Sequence, residues 1–298
     1  MKVGRINFRS LFLFSKRPFW GHNLMCYDLD MYLGIDIGGT KTLIAKINDQ
    51  GVILKKDKFH TPPKYSEFID HLKNIGYTDV DYRAACVAAP GNIDRQNGIV
   101  ANFGNLNWKN IHLARDIEKV FECPTLIEND AKLAALSEAM LVKEEFKRVL
   151  YVTVSTGIGY AFVDNLKIDT NAGDTGGRAI LFSKDKKQMP WEDYVSGRAI
   201  VDRFGKKAKD INDPNTWKII SKDLRDGLVE LIAIFEPEII ILGGSVGVYF
   251  DKYGTYLREY IERAHIPMVT LPKIIKAQRP EEAVIFGCYD YLKQNFNS

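Results

Sequence analysis

Four short stretches of this 298-residue sequence carry residue types at spacings suited to phosphate and hydroxyl chemistry. The first, Asp36-Ile37-Gly38-Gly39-Thr40-Lys41-Thr42, follows an apolar strand. It packs two hydroxyls, one ammonium and the amides of Gly38–Lys41 into a single turn, the kind of concavity that cradles phosphate oxygens. Gly34 and Gly39 have the spacing of a Walker A loop, but Thr40 stands where that loop needs lysine. The strand LIAKI also follows where it needs a helix. Asp36 ends the apolar strand, where a carboxylate needs a cation or water to satisfy it, and Mg2+ beside bound phosphates would do so. A second cradle of the same type is Ser155-Thr156-Gly157-Ile158-Gly159. Gly243-Gly244-Ser245 closes another apolar strand and leaves room for a flat nucleobase against the backbone. The fourth stretch, Glu128-Asn129-Asp130, stands directly before AKLAALSEAMLVK, a helix from Ala131 to about Lys143. Asn or Asp at that point caps a helix N-terminus. A carboxylate held there can also accept the proton of a hydroxyl attacking phosphorus, which makes Asp130 the candidate general base. Asn105, Asp174 and Glu192 interrupt apolar or Gly-rich runs, and by residue type alone each reads as a solvated loop residue.

Positioning these groups requires strands that end in tight turns. An apolar strand, a glycine turn and a second apolar strand occur over residues 31–49 and again over 148–165. Both read as hairpins whose turns need glycine. A strand over 84–87 with the turn Ala89-Pro90-Gly91 has a counterpart in IIILGG (239–244), which follows a helical stretch over 223–235. Strands alternating with helices predict an α/β fold. The recurrence predicts two similar lobes, residues 31–128 and 129–298, with a cleft between them, the last helix being free to return to the first lobe. Residues 1–30 read as a disordered extension before a strand pattern that begins at Met31. A basic amphipathic arm on a membrane surface is the alternative.

Composition narrows the function classes. With 46% hydrophobic and 27% charged residues, the chain is an ordinary globular one. The formal net charge is +3, and residues 1–30 hold five bases against two acids, so the remainder is neutral. A neutral body has no basic field for nucleic acid. No apolar run approaches the roughly 18–20 residues needed to cross a bilayer, so no membrane partner is expected. Cysteines at 26, 86, 123 and 288 lack metal-ligand spacing, and Cys86 and Cys288 sit in apolar runs as core fillers. This pattern suits a reduced cytoplasmic compartment. The five histidines are scattered and form no ligand set.

Taken in order, these motifs resemble the ROK (repressor, open reading frame, kinase) family of actin-like, hexokinase-like ATPases, from Met31 to about Leu292. LGIDIGGTKT resembles the family's first phosphate motif, and AAPGNIDRQNGIVANFGNLNW its sugar-proximal stretch. IENDAKLAALSEA is similar to the segment holding its catalytic aspartate. VSTGIGYAF is similar to the second phosphate motif, with Ser155 and Tyr160 in place of glycines. PEIIILGGSV resembles the adenosine motif, and EEAVIFGC the closing helix.

The resemblance implies a two-lobed, ribonuclease H-like fold with a nucleotide and sugar cleft. It implies phosphorylation of a hexose, glucose first, by ATP with Mg2+. Asp130 would be the base, and Asn105, Asn129, Asp174 and Glu192 would bind sugar. Gly38, Gly39, Thr40, Lys41, Thr156 and Gly157 would hold the ATP phosphates, Gly243 and Gly244 the adenosine, and Asp36 would be associated with Mg2+. The AGDTGG stretch departs from the family pattern. Asp174 replaces a glutamate, and Gly177 replaces a histidine that is also a zinc ligand. The cysteine cluster that normally follows is absent, so no zinc is expected, as in the zinc-free polyphosphate/ATP glucokinase branch. That branch has a Trp-Glu-Glu-Trp stretch similar to Trp191-Glu192-Asp193-Tyr194. A shorter carboxylate and a missing imidazole predict a wider, less fully bonded sugar site. Polyphosphate as donor, or mannose, fructose or an N-acetylhexosamine as acceptor, are the alternatives within this chemistry. A non-catalytic sugar binder is the alternative outside it. A sugar-sensing regulator of the family would carry a winged helix-turn-helix, for which the residues before Met31 are too few. A homodimer is the protein partner left open.

Overall fold

A computed structural model describes residues 30–104, 106–184, 187–264, 268–279 and 281–296. Except for Asp30, which pairs with Arg83, the extension expected over residues 1–30 lies outside the described residues. So do Asn105 and Cys26.

The first half of the chain runs β1 (Met31–Ile37), β2 (Lys41–Ile47), β3 (Ile53–His60), α1 (Tyr65–Asn74), β4 (Tyr82–Ala89), β5 (Asn92–Asp94), β6 (Ile99–Phe103), β7 (Leu106–Ile111), α2 (Leu113–Phe121), β8 (Thr125–Asn129) and α3 (Asp130–Val142). The second continues through β9 (Arg148–Val154), β10 (Ile158–Asp164), β11 (Lys167–Ile168), β12 (Leu181–Lys184), β13 (Lys187–Pro190), α4 (Glu192–Val195), α5 (Gly197–Phe204), α6 (Pro214–Phe235), β14 (Ile239–Gly243), α7 (Gly244–Gly247), α8 (Phe250–Arg263), β15 (Lys273–Lys276) and α9 (Ala283–Phe296).

Two five-stranded sheets repeat one connectivity. Their strand orders are β3-β2-β1-β4-β8 and β11-β10-β9-β14-β15. In each, an antiparallel meander supplies three strands and two parallel strands complete the sheet. Parallel strands covered on both faces read as continuous apolar runs, and IIILG of β14 is buried at every residue. The edge strand β3 instead exposes Lys55, Lys56 and Lys58, charges that discourage pairing with another sheet.

The helices after the last strand of each sheet are exchanged. Following β8, α3 packs Ala134, Ala135, Leu136 and Ala139 among Val149, Tyr151, Ile239 and Ile241 of the second sheet. Following β15, α9 packs Ile285, Cys288 and Leu292 among Tyr32, Ala45, Ala84 and Cys86 of the first. The two helices touch where Gly287 meets Leu133, so closely that a Cβ would overlap the Leu133 carbonyl oxygen. On the outer faces, α1 and α2 cover the first sheet with Phe68, Leu72 and Ile117, while α6 and α8 cover the second with Leu224, Leu228 and Leu257.

Residues 131–139 of α3 are all buried, including Lys132 and Glu138. Such a helix is apolar all round, and its charged exceptions need partners. The Glu138 carboxylate accepts the Gln278 and Arg279 N–H groups at 2.7–3.1 Å and so holds the entry to α9. Cys86, Cys123 and Cys288 are buried thiols without disulfides. Among the described residues, no helix is long and apolar enough to cross a membrane.

Candidate active site

The C-terminal ends of β1, β4, β8 and β9 converge on a pocket of about 500 Å³. Its wall includes Gly38, Gly39, Asn129, Asp130, Thr156, Gly157, Asp174 and Glu192, eight of the residues singled out in the sequence.

The first turn is built by a residue that sequence reasoning missed. Thr61, directly after β3, donates its hydroxyl to Gly38 O at 2.8 Å and its N–H to Thr40 O at 3.0 Å. Its Oγ1 also lies 3.0 Å from the Thr42 hydroxyl. The Gly38 N–H donates to Lys41 O at 3.0 Å, so this amide is spent inside the turn and is not offered to a phosphate, contrary to expectation. Thr40 and Lys41 are exposed and stand outside the pocket wall.

In the second turn, the Ser155 N–H donates to Gly157 O at 2.8 Å. Glu192 shapes the rest of it. Oε2 accepts the Ile158 N–H at 2.9 Å, and a Cβ on Gly157 would overlap that oxygen. Oε1 accepts Arg178 Nε at 2.9 Å. Glu192 is placed by its neighbour Trp191, which is fully buried and donates its indole N–H to Asp223 O at 3.0 Å. The carboxylate expected to meet sugar therefore also braces a phosphate turn.

Asn129 caps α3. Its Oδ1 accepts the Ala131 N–H at 3.0 Å and the Lys132 N–H at 3.3 Å. Asp130 Oδ1 accepts the Ala131 N–H at 2.8 Å, which favours the carboxylate, but burial outweighs this and raises its pKa. Asp36, at the end of β1, feels the Asp130 charge. Burial first, and then the Asp130 charge, push its carboxyl up to about 7 against the pull of Lys58.

Behind Asp130 lies a chain of alternating charges that the sequence did not reveal. Glu128, fully buried, takes Arg95 in a fork, Nε at 2.8 Å and Nη2 at 2.6 Å, and accepts the Asn129 N–H at 2.7 Å. Arg95 continues to Asp174, with Nη2–Oδ1 at 3.3 Å and Nη1–Oδ2 at 3.4 Å. Asp174 Oδ1 also lies 2.7 Å from Lys132 Nζ. Burial would raise the Asp174 pKa, but its bonds to Lys132 and Arg95 prevail and hold it below the ordinary range.

Gly177 is buried, and a Cβ there would stand 2.9 Å from Ile158 Cβ. Arg178 joins the wall beside it, together with Asn92 and Asn102, which face each other in register across β5 and β6. Gly244 has φ +81°, and a Cβ there would crowd Val154 O and Thr153 Oγ1, so glycine at this position lets α7 close onto β9. An adjoining pocket of about 380 Å³ shares Ser155 and Thr156 with the first and is walled by Ser245, Val246, Ala208 and Tyr249. Among the described residues, no group of three or more His, Cys, Asp or Glu side chains is placed to hold a metal ion.

A duplicated α/β body with phosphate-type turns at one cleft is the two-lobed actin-like ATPase fold. Residues 32–295 match the profile of the ROK family, and the chain belongs to that family. It is 25% identical over 316 residues to a glucokinase of Streptomyces coelicolor, covering 89% of this chain and 98% of that enzyme. With an N-acetylmannosamine kinase of Escherichia coli it shares 26% identity over 269 residues, 80% of this chain and 91% of the other. Its fold is similar to that of a ROK family glucokinase from Streptomyces griseus in complex with glucose and AMPPNP. The TM-score is 0.76 at 23% identity, over 89% of this chain and 99% of that one.

Proposed function

We propose that the protein is a Mg2+- and ATP-dependent hexose kinase with glucose as its acceptor. One observation carries the reading: two glycine turns, at equivalent strand ends of two equivalent sheets, face one pocket with Asp130 between them. Asp130 acts as general base toward the attacking sugar hydroxyl. Its raised pKa makes the carboxylate a stronger base, and general bases of this kind contribute about 10²–10⁴ in rate. Asn129, Asp174 and Glu192 form the polar acceptor site, and Asn92 and Asn102 line the same pocket. The turns at Gly39 and Thr156-Gly157 receive the donor phosphates, and the adjoining pocket at Val246 and Tyr249 receives the adenine. Lobes of residues 31–128 and 129–298, with the last helix returned to the first lobe, enclose the reactants between them.

Asp36 fits a hard divalent cation. It is a desolvated carboxylate at the end of β1, repelled by the Asp130 charge, and Mg2+ takes one or two carboxylates together with phosphate oxygens. When bound there, Mg2+ supplies charge neutralisation to the transferring phosphoryl group.

A coupled ADP-release assay with Mg-ATP over glucose, mannose, fructose and N-acetylmannosamine tests the proposal, with a parallel arm in which polyphosphate replaces ATP. Turnover highest with glucose and ATP is expected. Absence of hexose-dependent ADP release with every sugar would refute the kinase reading.

A further inference from the structure

Lys132 is an anomaly that the mechanism leaves unused. It lies in the first turn of α3, where the helix dipole disfavours a cation, and it is fully buried in a segment otherwise built of alanine and leucine. An apolar residue would fit the pattern AKLAAL better. Its ammonium lies 2.7 Å from Asp174 Oδ1 and meets no other acceptor among the described residues. A buried ammonium with a single anionic partner exists for that partner.

Asp174 is the member of the charge chain that reaches the ligand space. Its side chain is 31% accessible and lines the main pocket, whereas Lys132 and Glu128 are sealed. An ionised carboxylate has about four acceptor positions. Arg95 Nη2 occupies one on Oδ1, where Lys132 Nζ also sits as an ion-pair partner at 2.7 Å, and Arg95 Nη1 occupies one on Oδ2. One position, on Oδ2, is left for an outside donor. Arg95 is itself fixed by its fork on Glu128, which also takes the Asn129 N–H, so the same chain ties Asp174 to the backbone beside Asp130.

We propose that Lys132 and Arg95 are the positioning residues of the acceptor site, holding the Asp174 carboxylate so that Oδ2 accepts one hydroxyl of the sugar. The assignment rests on the hexose-kinase reading and adds its specificity element. A site with one remaining acceptor recognises one hydroxyl, and an analogue lacking that hydroxyl leaves it unpaired.

The test measures hexose affinity of the full chain by calorimetry, for a hexose that binds and for its monodeoxy analogues, alongside steady-state kinetics. In the wild type, one deoxy analogue should bind at least about tenfold more weakly than the parent sugar. Lys132→Met should weaken the parent about tenfold and abolish discrimination against that analogue. KM for Mg-ATP should stay within about twofold, and Lys132→Arg should restore part of the loss. Should Lys132→Met prove unstable, Asp174→Asn keeps the shape and should give the same loss of discrimination. Parent affinity and discrimination unchanged in the folded variants would overturn the assignment. So would equal losses for the parent and every analogue, the result expected of a merely structural ion pair. A wild type that binds a hexose but does not phosphorylate it contradicts the kinase reading and leaves this measurement intact.

Discussion

Replacing Asp36 by asparagine removes a carboxyl that burial and Asp130 hold at about 7 against an ordinary value of 3.8. Because the folded value is the higher one, the native state keeps a proton that the unfolded chain releases between about pH 4 and pH 7. Stability from this group is greatest below pH 4, falls as pH rises through that window, and is level above it. The gap corresponds to a ceiling of about 4 kcal/mol above pH 7. Asp36 retains partial access to solvent, so about half of that ceiling, roughly 2 kcal/mol, is the working figure. At about 2–4 °C per kcal/mol for a chain of this size, Asp36→Asn should melt about 4–8 °C higher than wild type at pH 8, and less than half as much higher at pH 5. Added Mg2+ should raise the wild-type melting temperature at pH 8 and leave the variant unmoved, while the variant loses Mg-ATP turnover. Differential scanning calorimetry at the two pH values, with and without Mg2+, reads all of this. Equal or lower melting of Asp36→Asn at both pH values would show that the carboxylate is already satisfied within the fold, and the reasoning would fail.

Two further outcomes follow from the site. Thr61→Val removes the hydroxyl bond to Gly38 O, at a cost of about 1 kcal/mol, and should raise KM for Mg-ATP several-fold with hexose KM unchanged; an unchanged KM for Mg-ATP would detach Thr61 from the phosphate turn. Elemental analysis should find no stoichiometric zinc, and activity should survive a zinc chelator, because Gly177 and the dispersed cysteines offer no four-ligand set; one zinc per chain would contradict this.

The parts of the site that sequence shows are those made within one short segment. The turns at Gly38-Gly39 and at Thr156-Gly157 are announced by glycines between apolar strands, and α3 by Asn129-Asp130 before a helical run. What sequence hides is pairing over distance. Arg95 meets Glu128 and Asp174 across 33 and 79 residues, and neither spacing carries a signal. Thr61 acts from the end of β3 on a turn 23 residues earlier, and only the meander of β1, β2 and β3 brings them together. At Gly244 the sequence does not show the close packing of α7 on β9, because a glycine there reads equally as room for a ligand. Lys132 alone left a trace, a lysine inside an alanine- and leucine-rich helix.

Asp130→Asn probes the central claim most directly, because asparagine keeps the size and the acceptor for the Ala131 N–H while removing the base. On the hexose that wild type turns over fastest, kcat should fall by at least about two orders of magnitude. Hexose KM should stay within a few-fold, and the hexose-induced rise in melting temperature should be retained. A kcat within a few-fold of wild type, under the same Mg-ATP, would remove Asp130 from the chemistry and contradict a kinase built around it.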